Sequence, residues 1–300
     1  ISVIFISGFV LGFMEAPNWG WTSLPIMGLF LLSIISLITF IGWEKKIPHP
    51  LVELTLFKNL TFTTLFSVLL IIQAVAIVFV FLAIFLQNVL HYSPLMAGLL
   101  LLPAMVPIML MAPVGGHLRD KYGPTLPMFC GALLVVLSLI WIAIFSHNRG
   151  YAWLFPGLLV YGIGMPLILS GIMATVMNMV NAQQRGMASA IFNCARQFGN
   201  TIGLALLTGL LASVNKWQLN SFLHHSPVPL SRLKEQQIDG LLVQSDQAMK
   251  AIAHLSLAHI ELLKTAALNA YTNAFSMTLL AAAILAFLSL FLILKIPRKQ

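Results

Sequence analysis

The sequence predicts an all-α polytopic membrane protein, and three observations lead to that prediction. The 300 residues are 59% hydrophobic and only 8% charged, whereas a soluble domain carries about 25% charged residues. The mean hydropathy is +0.95. The apolar residues are also gathered into eight long runs separated by polar segments. A chain of this composition lacks the polar side chains to cover a water-exposed surface, so we place it in a lipid bilayer.

The eight apolar runs determine the expected helices. They lie near 1–14, 23–42, 62–87, 95–115, 126–145, 152–177, 187–213 and 271–294. Each run after the first has about 20 residues or more, enough for an α-helix across roughly 30 Å of hydrocarbon. Strands of a membrane barrel would alternate polar and apolar residues, and these runs do not. We therefore expect about eight transmembrane helices. Because the first run has only 14 residues and begins at Ile1, we also expect a longer protein upstream.

Lysine and arginine in the short connections predict the orientation, because cytoplasmic loops are enriched in both residues. One set of connections carries nine of them: Lys45, Lys46, Lys58, Arg119, Lys121, Arg185, Lys295, Arg298 and Lys299. The opposite set of short connections carries only Arg149. The basic set and the C-terminus are therefore expected in the cytoplasm. The net charge of +8 then reflects cytoplasmic loops, and no nucleic-acid partner is expected.

One connection, residues 214–270, is much longer than the others, and the alternation of spans places it outside the cytoplasm. Helical spacing predicts one or two amphipathic helices at the membrane surface. The apolar positions are Ile238, Leu241 and Leu242, then Ile252, Leu255, Ile260 and Leu263. Two interpretations of this loop stay open. It is either a solvated lid or a docking surface for a periplasmic adaptor protein.

The sequence carries no motif of an enzyme. It contains no GxxxxGK[ST] phosphate loop, no HExxH and no GxSxG. Cys130 and Cys194 lie in apolar runs without CxxC spacing, and His254 and His259, five residues apart, do not share a helical face. We therefore expect neither catalysis, nor a cofactor, nor a metal site.

A charged segment, GHLRDKYGP, separates the fourth and fifth runs. Its candidate functional residues are Gly116, Arg119, Asp120, Lys121 and Gly123. We expect Gly116 to let two helices approach closely and Gly123 to form a tight turn. Asp120 is expected to cap a helix or to pair with an arginine, as part of a gate. An ordinary charged loop is the alternative interpretation.

A second segment, GMASAIFNCARQFGNTIGLALLTGLL, places polar residues inside the seventh run. Arg196 and Gln197 lie about ten residues into the apolar span. An ionisable residue at that depth costs at least about 2.5 kcal/mol and usually has a function. Arg196 and Asn200 share one helical face, and Gly199 with Gly203 is spaced for close helix packing. Arg196 either forms a polar junction between helices or meets an anionic substrate.

Both segments resemble a known family. The pattern Gly116-xxx-Asp120-Lys121-x-Gly123 resembles the loop signature of the major facilitator superfamily, with Pro124-Thr125 in place of its final basic pair. The G-x-A-S and R-Q-x-G-x-x-x-G patterns of residues 186–203 resemble the penultimate span of its 14-span drug:proton antiporters, the EmrB/QacA type. The segment EAPNWGW resembles the connection between the two linker helices of that family. WEKKIPHPLVELTLFKNLTF resembles the loop that precedes its second helical bundle.

The resemblance implies the C-terminal portion of such a transporter, lacking the first six helices. Residues 1–60 would form two linker helices and a cytoplasmic loop. Residues 61–300 would form one six-helix bundle, with the outer loop 214–270. The whole would lie in the inner (plasma) membrane.

The resemblance also implies a function. In this family two bundles rock about a site near the bilayer midplane, which here implies proton-coupled efflux of lipophilic drugs. The expected pocket residues are Gln73, Phe79, Tyr161, Ser170 and Asn178. None of the eight acidic residues falls in the middle of a run, so the proton-carrying carboxylate is expected in the missing half. Two alternatives stay open: a carrier of one specific metabolite or organic anion, and a non-transporting fragment.

Overall fold

The structure, a computed structural model, describes residues 2–20, 22–44, 54–148, 150–225 and 257–296. Every regular element within these ranges is a helix. The α-helices are α1 (Ser2–Trp19), α2 (Leu24–Glu44), α3 (Leu60–Ala76), α4 (Val78–Asn88), α5 (Pro94–Leu100), α6 (Leu102–Tyr122), α7 (Thr125–Phe145), α8 (Tyr151–Met179), α9 (Arg185–His225) and α10 (Leu257–Leu294). Short 3-10 helices lie at Leu54–Lys58, Ser146–Asn148 and Ala182–Gln184.

The predicted all-α membrane fold is confirmed. Within the described ranges seven spans are long and apolar enough to cross a bilayer, and α3–α4 and α5–α6 each count as one span. The 18-residue α1 is not among the seven, because it ends in the polar stretch EAPNW. It nevertheless packs along α2 and reaches α9.

The remaining spans form one bundle. Helix α6 packs on α8, α8 on α7, and α7 on α10, while α10 and α3 both pack along α9. Large side chains fill the interior, as shown by the Phe85 and Phe275 rings, which stack with their centroids 4.4 Å apart. In lipid, such van der Waals packing, rather than escape from water, holds helices together.

Small residues bring the helix backbones close together at three seams. A Cβ placed on Gly131 of α7 would lie 2.6 Å from the carbonyl oxygen of Gly164 on α8. On the other side of α8, Gly162 lies against the backbone of Ala104 on α6. Glycines of α9 form the third seam: Gly203 lies against the Ala74 backbone of α3, and a Cβ on Gly199 would lie 2.5 Å from the Leu70 carbonyl oxygen. None of these positions leaves room for a side chain.

Two spans are interrupted. The third predicted run divides at Ile77 into α3 and α4, and the next divides at Leu101 into α5 and α6. Pro103 follows the second break and removes a backbone donor there. Helix α8 lies beside both breaks. Its Tyr161 contacts Phe79, just after the first break, and its Gly162 contacts Ala104, just after the second.

Helical structure extends into the predicted outer loop, 214–270, from both of its ends. Helix α9 continues to His225, and α10 already begins at Leu257. An apolar run ends where polar residues begin. The helix itself can continue past that point as long as one of its faces stays packed against another helix. Leu219 and Leu263, on the two extensions, are both fully buried. The predicted helical pattern from Ser231 onward lies outside the described residues up to 256, whereas its last two positions, Ile260 and Leu263, lie on α10.

The α9–α3 seam generates a prediction. Replacing Gly203 by Ala in the intact protein should lower stability by about 1–3 kcal/mol, because the methyl group would collide with the Ala74 backbone. The measurement is the thermal unfolding midpoint of the purified protein in detergent.

Gly209→Ala on the same helix is the matched control, since no atom lies within 4 Å of a Cβ at that position. It should not lower the midpoint. Equal midpoints for the two variants would show that the seam does not constrain α9.

Candidate functional site

A strip of polar side chains runs along α9, and we call it the α9 polar strip. It consists of Ser189, Asn193, Arg196, Gln197 and Asn200. Spacings of three and four residues place all five on one side of the helix. Asn193, Arg196 and Gln197 are exposed, and the other two are half-buried. Asn193 and Ser189 were missed in the sequence, although Asn193 stands one helical turn before the recognised Gln197.

Aromatic contacts give the depth of the strip. Phe192 packs edge-to-face on Phe62 and Phe66, in the first two turns of α3, with centroid distances of 5.4 and 6.2 Å. One turn beyond Arg196, Gly199 already lies beside Leu70. Arg196 is therefore about 10 Å along the membrane span from the start of α3. Arg196 and the polar side chains within one turn of it need protein or water, rather than lipid, as their neighbour at this depth.

The strip points away from the α1–α2 pair. Phe198 contacts Phe5 and Phe9 of α1, at centroid distances of 5.6 and 5.3 Å. Residues two apart on a helix point about 200° apart, so Arg196 points to the opposite side. Farther along the same side, Leu207 is 2% exposed and belongs to the core. The strip is thus open toward the start of α9 and closed beyond Asn200.

The described residues give Arg196 no ion pair, and the salt bridge that they do form between Arg119 and Asp120 lies at the end of α6. Its guanidinium is exposed and offers five donors in a planar fork. The strip can therefore receive an anionic or strongly hydrogen-bonding group from outside the described helices.

The described contacts bring together two of the five predicted pocket residues. Phe79 and Tyr161 meet edge-to-face, with centroids 4.8 Å apart. Gln73 is buried and faces Gly199 at the α9 seam, whereas Ser170 lies against Gly115 of α6. Asn178 is exposed near the end of α8. The sequence shows which residues lie on a span, but not which neighbour each one faces.

The Tyr161 hydroxyl has an unusual environment. The residue is 2% exposed, and its Oη has no hydrogen-bond partner among the described residues. An unsatisfied buried hydroxyl is costly in an apolar interior. Its position between the two helix breaks makes it a polar group that a change in bundle shape can expose.

The charged segment GHLRDKYGP is mostly helix, which corrects the expectation of a loop. Helix α6 runs through Tyr122 and ends at Gly123, whose φ of +79° favours glycine and whose N–H donates to the Arg119 carbonyl over 2.8 Å. Arg119 and Lys121 lie in the last turn, where positive charge stabilises the helix dipole. The Arg119 Nε donates to Asp120 Oδ1 over 2.9 Å, so Asp120 is already paired within this chain.

The close packing expected at Gly116 lies one residue earlier. Gly116 has open space around it, whereas Gly115 lies against Ser170 and the Pro166 backbone of α8. Successive residues of a helix point about 100° apart. Because Gly115 and Gly116 are adjacent glycines, the sequence does not show which of them faces the neighbouring helix.

A hydrogen-bonded chain joins three helices at the other end of the bundle. His147, after α7, donates from Nε2 to Asn273 Oδ1 over 2.8 Å. Asn273 Nδ2 donates to Gln218 Oε1 over 3.0 Å, which ties α10 to α9. Next to these amides lies a cavity of about 270 Å³ between the extensions of α9 and α10. Docking of an adaptor protein on the outer connection stays a prediction.

The Tyr161 environment generates a second prediction. Tyr161→Phe should leave the stability unchanged or raise it by about 1–2 kcal/mol, because it removes a buried hydroxyl without a described partner. Tyr161→Ala should lower stability by about 3–5 kcal/mol, because it also removes the ring packed on Phe79. Thermal unfolding of the intact protein in detergent measures both effects. A destabilised Tyr161→Phe variant would mean that the hydroxyl has a partner in the native protein.

Comparison with known proteins gives a consistent result. Residues 1–204 match the family model described as Major Facilitator Superfamily. Multidrug resistance protein Stp of Mycobacterium tuberculosis is 30% identical over 232 residues, which cover 77% of this chain and 43% of Stp. The Tetracenomycin C resistance and export protein of Streptomyces glaucescens is 27% identical, over 70% of this chain and 40% of that protein. Quinolone resistance protein NorB of Staphylococcus aureus is also 27% identical, over 67% of this chain and 44% of NorB.

The chain thus spans less than half the length of these three curated relatives. Among solved structures, a bacterial homologue of the human lysosomal transporter Spinster, in an inward-facing and occupied conformation, has the same fold. The TM-score is 0.57 at 14% sequence identity, covering 97% of this chain and 65% of that structure.

Proposed function

Because the chain belongs to the Major Facilitator Superfamily of multi-pass membrane transporters, we propose that it forms the C-terminal part of an efflux transporter for lipophilic compounds. The α9 polar strip is the observation that carries this proposal. It is a polar surface within a membrane span, exposed on the side that the described helices do not cover. A second helical bundle and a water-filled cleft would supply the polar neighbours that lipid does not.

The upstream half of the protein is the natural source of that second bundle. Helices α2, α6 and α9 bury the smallest share of their spans. The exposed residues of α2 are mostly apolar and can face lipid, whereas the α9 polar strip is not suited to contact with lipid. The short coverage of the curated relatives agrees with six further helices of the 14-span drug:proton antiporter type. In this arrangement α1 and α2 are the two linker helices.

Lipophilic substrates suit the exposed methionine side chains of α6. On α6, Met105 is 43% exposed and Met109 81% exposed. Methionine is flexible and polarizable, so a Met-rich surface adapts to ligands of different shape. The named relatives act in resistance to tetracenomycin C, quinolones or multiple drugs, and we extend the efflux of varied compounds to this protein by analogy.

Proton coupling requires a carboxylate that the described spans do not place in the membrane interior. Glu15, Glu44, Asp120 and Glu261 all lie within about two turns of a helix end. We therefore assign the coupling carboxylate to the upstream half. From the basic connections we also propose that the α6–α7 turn and the C-terminus lie on the cytoplasmic side of a bacterial plasma membrane.

The end of α6 suits a gate at the cytoplasmic face. Asp120 is 65% exposed and its pair with Arg119 is a surface pair of adjacent residues. Such pairs contribute little to stability, so the Asp120 carboxylate can exchange Arg119 for a partner on the upstream bundle when the cleft closes.

Efflux by the full-length protein tests the proposed function. In cells that lack other efflux pumps, its expression should lower the steady accumulation of Nile red and several other lipophilic dyes. Collapse of the proton gradient should restore accumulation. Cells carrying an empty vector are the control. Unchanged retention of all the dyes would contradict the proposal, and efflux that survives loss of the gradient would contradict proton coupling alone.

The gate generates a separate prediction. Asp120→Asn should strongly reduce efflux while changing the unfolding free energy by less than about 1 kcal/mol, because an exposed ion pair stabilises the fold only slightly. Glu261→Gln removes the same charge at an exposed position on the extension of α10 and should leave efflux unchanged. Membrane content of each variant is measured alongside efflux. Normal efflux by Asp120→Asn would remove the gate role.

A further inference from the structure

We propose that the α9 polar strip recognises the anionic group of amphiphilic substrates, such as a carboxylate attached to an apolar ring system. This inference rests on the proposed efflux function and names the substrate class of its site. Arg196 would bind the anion, and the amides of the strip would complete its hydrogen bonds.

The distribution of charge in the described chain leads to this assignment. Among the charged residues that the structure describes, Arg196 is the one that lies well inside a membrane span. The others lie near helix ends, in short connections or on the outer extensions: Glu15, Glu44, Lys58, Arg119, Asp120, Lys121, Arg185, Lys216, Glu261, Lys264 and Lys295. A lipophilic cation approaching this half of the cleft would meet a positive charge, whereas an anion would meet a partner.

The donors of the strip match a planar anion. A guanidinium forms two parallel hydrogen bonds with a carboxylate, and these charge-assisted bonds are about twice as strong as neutral ones. Asn193 and Asn200 lie one turn on either side of Arg196, and neighbours one turn apart have Cβ atoms about 5–6 Å apart. Their amide groups can reach the same anion from both sides.

The apolar part of such a substrate also has a place. Beyond Asn200 the strip ends at the buried Leu207, so the polar surface of α9 is closed at that end and the apolar part of a substrate must lie elsewhere on the bundle. Exposed Met105 and Met109 of α6 are soft apolar side chains of the kind that such a substrate would contact. The described helices therefore offer an amphiphile exposed apolar side chains as well as a charged group.

Two other anions are less consistent with the geometry. A lipid phosphate lies at the membrane surface, whereas Arg196 is about 10 Å along the span from the start of α3. A single structural carboxylate on the upstream bundle would need Arg196 alone and would leave the exposed amides of Asn193 and Gln197 unused. That structural role makes a different experimental prediction, because its loss would affect all substrates equally.

Binding of a matched pair of probes tests the inference. The probes are 1-pyrenebutyrate, which is ionised at pH 7 because an ordinary carboxyl group has a pKa of about 4, and its uncharged methyl ester. Purified full-length protein in lipid nanodiscs should bind the acid more tightly than the ester by about ten- to hundredfold, the range expected for a hydrogen bond to a charged group. Pyrene fluorescence measures both affinities at constant lipid content.

Substitutions assign the preference to the strip. Arg196→Gln should abolish the preference for the acid and leave ester binding unchanged. Arg196→Lys should keep part of it, because an ammonium supplies charge without the planar fork. Asn193→Leu should weaken acid binding by a smaller factor. Lys264→Gln, which removes an exposed positive charge outside the strip, is the control and should match the wild type.

Several outcomes would overturn the inference. One is an equal affinity of the wild type for the acid and the ester, and another is an equal loss of affinity for both probes in Arg196→Gln. The third is a purely structural role: Arg196→Gln lowers the thermal stability, and Arg196→Lys restores that stability but not the preference for the acid. Nile red efflux, measured in parallel, tests the proposed function separately. A wild type that prefers the acid but exports no dye would support the recognition site and contradict the efflux function.

Discussion

Close contact between helix backbones is the interaction on which this bundle depends. Lipid already shields apolar side chains from water, so the hydrophobic effect does not drive helices together. They associate where small residues allow many van der Waals contacts. Helix α8 uses this device on two sides, with Gly164 against α7 and Gly162 against α6. It is therefore the central element of the bundle, and the Phe85–Phe275 stack fills space that the seams leave between other helices.

Helix α9 combines the two kinds of surface that the protein needs. One side carries Gly199 and Gly203 and is fixed to α3 by backbone contact. The side next to it carries the polar strip, and the side that carries Phe198 packs on α1. The direction of Arg196 is thus set by packing at the neighbouring glycines, so the geometry of the strip depends on a seam that contains no polar side chain.

The sequence predicted the spans well because a helix in lipid must be apolar over about 20 residues, and that requirement is visible without knowledge of the fold. It also located Arg196, because a charge inside an apolar run is conspicuous. It failed where rotation about a helix axis decides the outcome: Gly115 rather than Gly116 packs on α8, and Gln73 and Ser170 face different neighbours. It also did not show the helix ends, because α6 and α9 continue past their apolar runs into charged and polar residues.

The length of α9 has a mechanical consequence. Its 41 residues form one uninterrupted helix, about 60 Å long, which carries Arg196 near one end and Gln218 near the other. The bond from Asn273 to Gln218 ties the far end to α10. Because the helix is continuous and is held by α3 at one end and by α10 at the other, a displacement of the α9–α10 contact has to be accommodated by α9 as a whole. The outer end of the protein and the seam that orients Arg196 are therefore joined by a single rigid element.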